Sequence, residues 1–244
     1  MNPTLNYELS IIIPVYNEQE SFPILAAALQ TYIEKASVRA CVIFVNDAST
    51  DQSLVLIRDF CMRQKDFYYL SLERRNGVSG ALKAALMKIK SPFIGYMDAD
   101  LQTFPDDFEK LLKYRFDAGL VCGVRDFSHE SLHVRFVKYF FANIRHMFTG
   151  DFIEDTGCPL KIGKTQLLQS LPWYSGIQFL LPALVQLTGN RVRAVNVRYQ
   201  RRRFGKSKRN HVAMFMSNCC NLLVFMWMKK RYLDPAVREN NIDN

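Results

Sequence analysis

The chain has 244 residues, 49% hydrophobic and 23% charged, with a net charge of +9. That is ordinary globular composition with enough chain to bury a sizeable core, and the basic balance points to a polyanionic partner: nucleic acid, an anionic membrane surface or phosphorylated substrates. The six cysteines form no CxxC pair, which argues against zinc, and no run is apolar enough to span a bilayer, which takes about 20 residues.

The first half alternates short apolar runs with segments of helical period. Leu9 to Pro14 is β-branched and short, as a buried strand is, and Leu25, Leu29 and Ile33 then recur at helical spacing. Cys41 to Val45 is a second strand, closed by the loop and cap chemistry of Asn46-Asp47-Ala48-Ser49-Thr50. Leu54, Ile57 and Cys61 mark a helix, Phe67 to Leu72 a third strand, and Gly80 to Ile89 another helix. Phe93 to Met97 is a fourth strand running into Asp98, and Leu120 to Val124 a fifth. Such alternation predicts an α/β protein with a mostly parallel sheet and helices on both faces. Cys41 and Cys122 lie inside apolar runs and read as buried thiols. With no signal peptide visible, a reducing cytoplasm is the simplest expected compartment.

The second half is more helical and more basic. Ser131 to Phe148 and Trp173 to Leu187 both read as apolar helical segments. Arg198 to Arg209 holds seven Lys or Arg in twelve residues. Val212 to Met228 reads as a final helix, interrupted by Ser217, Asn218 and Asn221 and followed by Lys229-Lys230-Arg231. The expected division is a catalytic domain over residues 1–209, a C-terminal amphipathic or interface helix over 210–233, and a polar tail over 234–244.

Three polar clusters fall at strand ends: Tyr16-Asn17-Glu18, Asn46-Asp47 and Asp98 to Gln102. A doubly wound sheet gathers such ends along one edge, where ligands bind. In Asp98-Ala99-Asp100-Leu101-Gln102, alternate residues share a direction, so Asp98, Asp100 and Gln102 present three oxygen ligands to one hard cation, Mg²⁺ or Mn²⁺, bridging to a diphosphate. The plain alternative is a helix cap ahead of Pro105-Asp106-Asp107, and a lone DxD favours it. Position after a strand, beside two other clusters, favours the metal site. For Asn46 to Asp51 both readings hold: Ser49 to Asp51 cap a helix while Asp47 faces ligand, suited to a nucleobase N–H. The basic run is either a phosphate-binding loop, as Gly205 and Ser207 suggest, or a solvated basic face. No nucleic-acid fold signature accompanies it, so no nucleic-acid partner is expected. His129, His133, His146 and His211 show no metal spacing.

Pro14-Val15-Tyr16-Asn17-Glu18, Asn46-Asp47-Ala48-Ser49-Thr50-Asp51 and Asp98-Ala99-Asp100-Leu101-Gln102 together resemble family 2 glycosyltransferases with the GT-A fold. Gly123-Val124-Arg125, Asp155 to Lys161, and Arg202-Arg203-Phe204-Gly205-Lys206-Ser207-Lys208 narrow the resemblance to dolichol-phosphate mannose synthases and bacterial polyprenyl-phosphate glycosyltransferases. The resemblance runs from about Leu9 to about Tyr232. It implies that Asp98, Asp100 and Gln102 hold the metal and donor diphosphate, and that Pro14, Tyr16, Glu18 and Asp47 line the nucleoside pocket. It implies further that Arg125 and Arg135 meet phosphate near the reaction centre, and that Arg202, Ser207 and Lys208 bind the acceptor phosphate or clamp the donor. Asp155 matches a recurrent acidic position. Gly176-Ile177-Gln178-Phe179 stands where many relatives carry a His-Arg pair, which leaves the sugar open.

The activity so implied is inverting transfer from a UDP- or GDP-linked sugar to a polyprenyl phosphate, by an enzyme peripheral on the cytoplasmic face of the membrane. A phosphomonoester, with a second pKa of about 6, is already an anionic nucleophile and needs no general base. The runner-up is a soluble glycosyltransferase acting on a hydroxyl, with Asp155 as base; the third is a non-catalytic basic binding module. The final helix lies on an anionic membrane, through Trp227 and Lys229-Lys230-Arg231, or packs on the domain or in a homo-oligomer.

Overall fold

The computed structural model of the chain describes residues 2–126, 132–201 and 211–232, without side-chain detail for 132–138, 140–141 and 211–218. In chain order the elements are β1 (Leu9–Val15), α1 (Phe22–Lys35), β2 (Ala40–Asn46), α2 (Ser53–Arg63), β3 (Phe67–Ser71), α3 (Gly77–Leu86) and β4 (Phe93–Tyr96). There follow α4 (Phe108–Leu112), β5 (Leu120–Arg125), α5 (Leu132–Thr149), β6 (Lys161–Lys164), α6 (Thr165–Ser170), α7 (Leu181–Leu187), β7 (Val192–Val197) and α8 (His211–Lys229).

The seven strands form one sheet in the order β3-β2-β1-β4-β6-β5-β7. Every pairing is parallel except those of β6, which runs antiparallel to both β4 and β5. The five strands read from the sequence are all present. β1, β2 and β4 read as unbroken apolar runs because helices cover both faces, whereas β3, at the sheet edge, is half-exposed and reads through its aromatic residues. On β1, Ile11 and Ile13 pack under α1, α2 and α4, while Ile12 packs under α3, α6 and α7. A one-residue slip of register would exchange these sets, so the double burial also fixes the register.

Two expectations are corrected. Trp173 to Leu187 is not one helix: Gly176, at φ 91, starts a single 3-10 turn, Ile177–Phe179, and α7 begins only at Leu181 with Pro182 in its first turn. Neither residue suits a helix interior. The sheet also has two strands unread in the sequence. β6 is Lys-Ile-Gly-Lys, which carries no strand pattern of its own; its position between β4 and β5 imposes the conformation.

Parallel strands bring their C-terminal ends to one edge. The ends of β1, β2, β3, β4, β5 and β7 lie there, together with the start of antiparallel β6. Each motif named above and inside the described residues is therefore at that edge. The chain order reverses between β1 and β4, and this switch point is where open α/β sheets bind ligand.

Candidate active site

The loops after β1 and β2 are tied together by side chains. Asn17 donates from its amide to Ser49 Oγ at 3.0 Å and accepts from the Thr50 amide at 2.8 Å. The Glu18 amide donates to Ser53 Oγ at 2.8 Å, and that of Gln19 to Asp51 at 3.2 Å. Asp51 also accepts the Ser53 amide at 3.0 Å, so it caps α2 as expected. Ser49 instead holds the neighbouring loop. Pro14 lies beyond the last residue of β1 paired with β4, Ile12, so its missing N–H interrupts no ladder on that side. Glu18 accepts the Ser21 hydroxyl at 2.8 Å, which turns its carboxylate toward the start of α1.

Asp47 is buried at the end of β2. Its two carboxylate oxygens accept the amides of Asn76 at 2.7 Å and Gly77 at 2.8 Å. It thus caps α3, a partner 29 residues away that local spacing could not reveal. Each oxygen keeps a further lone pair for a ligand. The loop so held carries Arg75, whose guanidinium lies 3.9 Å from the centroid of the Tyr16 ring. Sequence reasoning passed over Arg75. The signal was a basic pair, Arg74-Arg75, ahead of a glycine at a fourth strand end; Gly77 indeed takes φ 69.

The Asp98 to Gln102 loop keeps the expected alternation, although it turns rather than extends. Ala99 and Leu101 are buried while Asp98, Asp100 and Gln102 are half-buried. Asp98 accepts the Tyr96 hydroxyl at 2.6 Å, and Asp100 accepts the Gln102 amide at 3.1 Å. The capping alternative is not what the structure shows, since the 3-10 turn Pro105–Asp107 has Phe104 at its cap position and no side-chain cap. Among the described residues four non-glycine residues have positive φ; three are Asn17, Ala48 and Leu101, one in each strand-end motif. A left-handed Ala or Leu costs roughly 1 kcal/mol, and such strain concentrates where loops are shaped for ligand.

Arg125 ends β5 and makes a two-pronged ion pair with Asp155, Nε to Oδ2 at 2.7 Å and Nη2 to Oδ1 at 2.8 Å. The Arg125 amide adds a third bond to Oδ2 at 3.2 Å. Burial alone would raise the Asp155 carboxyl; the Arg125 guanidinium overrides it and holds the group below the usual carboxylate range. Arg125 is likewise held further above its ordinary value, its burial outweighed by the same carboxylate. Arg145 braces the turn from the other side through Thr156 and an ion pair to Asp151 at 3.2 Å.

The start of the basic run lies across both sites. Arg198 pairs with buried Asp107 at 3.0 Å. Gln200 donates from its amide to the Gln102 carbonyl at 3.0 Å and from its side chain to that of Leu101 at 2.6 Å. Between them, the Tyr199 ring centroid lies 5.6 Å from the Arg125 guanidinium. The segment therefore joins the Asp98 loop to the Arg125–Asp155 pair. Arg202, Ser207 and Lys208, which follow, lie outside the described residues, as does the side chain of Arg135 on α5.

The donor set fits a hard divalent cation. It is all oxygen, with two half-buried carboxylates at a sheet edge, and Mg²⁺ in such sites completes its shell with phosphate oxygens and water. Among the described residues no group of three His, Cys, Asp or Glu side chains converges.

A glycosyl transferase family 2 model matches residues 10–170. The chain is 27% identical over 213 residues to a dodecaprenyl-phosphate galacturonate synthase of Rhizobium johnstonii, covering 85% of this chain and 63% of that protein. It is 28% identical over 203 residues to an undecaprenyl-phosphate 4-deoxy-4-formamido-L-arabinose transferase of Yersinia enterocolitica, covering 82% and 62%. It thus spans less than two-thirds of these relatives' length. Among solved structures it is similar to glucosyl-3-phosphoglycerate synthase of Mycobacterium tuberculosis in complex with phosphoglyceric acid, with a TM-score of 0.68, 13% identity and coverage of 94% and 82%. The same enzyme in complex with Mn²⁺, UDP and glucosyl-3-phosphoglycerate gives a TM-score of 0.65 at 14% identity, covering 94% and 82%. The shared fold is GT-A.

Proposed function

The chain belongs to glycosyl transferase family 2, and we propose that it moves a sugar, with inversion, from a UDP- or GDP-linked donor to a polyprenyl phosphate. The observation that carries the reading is the segment 198–201, which joins the Asp98 loop to the Arg125–Asp155 pair and leads into the basic run. Two anionic substrates must be brought together, and this segment carries the exposed Arg201 and leads in sequence into the basic run.

On this reading Pro14, Tyr16, Glu18 and Asp47 line the nucleoside pocket, with Arg75 over the Tyr16 ring. Asp98 and Asp100, with Gln102, hold the divalent cation, Mg²⁺ or Mn²⁺, that neutralises the donor diphosphate and the departing nucleoside diphosphate. Arg125, held by Asp155, and Arg135 meet phosphate near the reaction centre, and Arg202, Ser207 and Lys208 bind the acceptor phosphate or clamp the donor. Arg recognises phosphate by two parallel bonds, and these groups offset the repulsion between the substrates. The acceptor phosphate arrives ionised, so no residue must remove a proton. The lowered proton affinity of Asp155 supports this over transfer to a hydroxyl, because a carboxylate held by Arg125 is a weak general base.

An anionic membrane is the proposed site of action. On α8, Asn221 and Phe225 are buried against the domain, whereas Leu223, Val224 and Trp227 are exposed on the opposite side, followed by exposed Lys229, Lys230 and Arg231. Among the described residues no helix is long and apolar enough to cross a membrane. Both readings of this helix thus draw support, one from each face.

The test is incubation with labelled UDP- and GDP-sugars, Mn²⁺ or Mg²⁺, and polyprenyl phosphate. Label entering the organic phase is the expected result. Label passing only to water-soluble acceptors favours the hydroxyl transferase, and no turnover favours a binding module.

A further inference from the structure

Beneath the Asp98 loop lies a buried pair with no role in the scheme above. Tyr96, the last residue of β4, is 4% exposed, and its ring packs among Ile12, Ile94 and Leu120. Lys161, the first residue of β6, stands opposite it in the antiparallel register and is 3% exposed. The Lys161 ammonium donates to the carbonyl of Thr156 at 3.1 Å and to that of Cys158. It also lies 5.8 Å from the centroid of the Tyr96 ring. A buried ammonium is costly, and an apolar side chain would fill the same space, so packing alone does not explain a lysine here.

The Tyr96 hydroxyl donates to Asp98 Oδ1 at 2.6 Å. A phenol O–H donating to a carboxylate is a charge-assisted bond, short and directional. Because the ring is fixed by the core, the hydroxyl is a fixed point, and the Asp98 carboxylate is held at one oxygen while still lying at the half-buried edge. Carboxylates that ligate cations are commonly oriented by such outer partners.

We propose that Tyr96 is a positioning residue for Asp98 as a ligand of the donor-bound cation. Lys161 braces the Tyr96 ring from below and ties it to the 155–158 turn that carries Asp155. The inference rests on the donor-site reading above. It gives the two halves of the site a common support: the strand that presents Asp98 and the turn that presents Asp155 meet at one buried cation.

The test measures Mn²⁺ binding directly, by electron paramagnetic resonance titration with UDP and, separately, GDP, on the parent protein and on Tyr96→Phe. That variant keeps the ring and removes only the hydroxyl. The expected result is an Mn²⁺ dissociation constant raised roughly 10- to 100-fold, with turnover at saturating Mn²⁺ close to that of the parent. Metal-free nucleotide binding and the thermal midpoint report whether the fold is retained. Lys161→Met is the second variant, and it weakens Mn²⁺ binding in the same direction. Parent-like Mn²⁺ affinity in both variants overturns the proposal and leaves the donor-site reading standing, as does lost turnover at unaltered affinity. A parent protein that binds no Mn²⁺ with either nucleotide overturns both.

Discussion

Asp100 accepts the amide of Gln102, so its carboxylate is oriented by its own loop before any ligand arrives. Removing it takes charge from the donor site and little from the core, since the side chain is half-buried. Asp100→Ala is expected to lower transfer at least 100-fold, on the order of 3 kcal/mol of transition-state stabilisation, with a thermal midpoint near that of the parent. Steady-state assay beside calorimetry checks this, and unaltered turnover contradicts it. Asp155 behaves differently because it also supports the fold. Its carboxyl sits below its ordinary value in the folded chain, so the pair's contribution is full above the unfolded pKa of about 4 and fades as pH falls through the lower folded value. Asp155→Asn is therefore expected to cost about 2 kcal/mol near neutral pH, and the gap to the parent closes in acid; urea titrations at several pH values measure it. At this scale the sequence was legible where spacing is local. The alternation across Asp98 to Gln102 is a period of two, visible in any window. The Asp47 contact to Asn76 and Gly77 joins two strand ends and has no local signature.

Among elements, β1 and β2 read most plainly, because burial on both faces demands uninterrupted apolar residues, while β3, an edge strand, reads through its aromatic residues. β7 is an edge strand with Arg193, Ala194 and Asn196 exposed, so its apolar count is diluted. β6 is short and carries two lysines, and only its neighbours make it a strand. The break at Gly176 was hidden by the apolar density around it. The Asp47 cap is a test at this scale: Asp47→Ala leaves the amides of Asn76 and Gly77 without their partner. It should cost about 1 kcal/mol and speed hydrogen exchange at the first turn of α3; exchange there as slow as in the parent contradicts the capping role. For α8, Cys220 is exposed one turn before Leu223 and Val224. If that face meets lipid, vesicles rich in anionic phospholipid slow maleimide labelling of Cys220, and neutral vesicles do so less. Equal labelling with and without anionic vesicles contradicts the membrane contact. Buried Cys41 and Cys122, whose thiols burial pushes up to about 12, give the slow reference rate.

At the scale of the whole molecule, topology converts scattered motifs into one site. Strand ends as far apart in sequence as Val15 and Val197 come to one edge because the strands run parallel, and β6 supplies its first residue to the same edge because it runs the other way. The donor side sits at the switch between β1 and β4, and the Arg125–Asp155 pair at β5 and the start of β6 stands beside it. The central claim is that the nucleophile on that second side is a phosphate already ionised, so that the enzyme supplies cations and no base. The most direct measurement offers two lipids to the protein with the productive labelled nucleotide sugar and Mn²⁺: a polyprenyl phosphate and the corresponding free polyprenol. Transfer to the phosphate with none to the alcohol is the predicted result. Transfer to the alcohol at a comparable rate contradicts it, because a hydroxyl acceptor requires a base that the paired Asp155 is poorly suited to be.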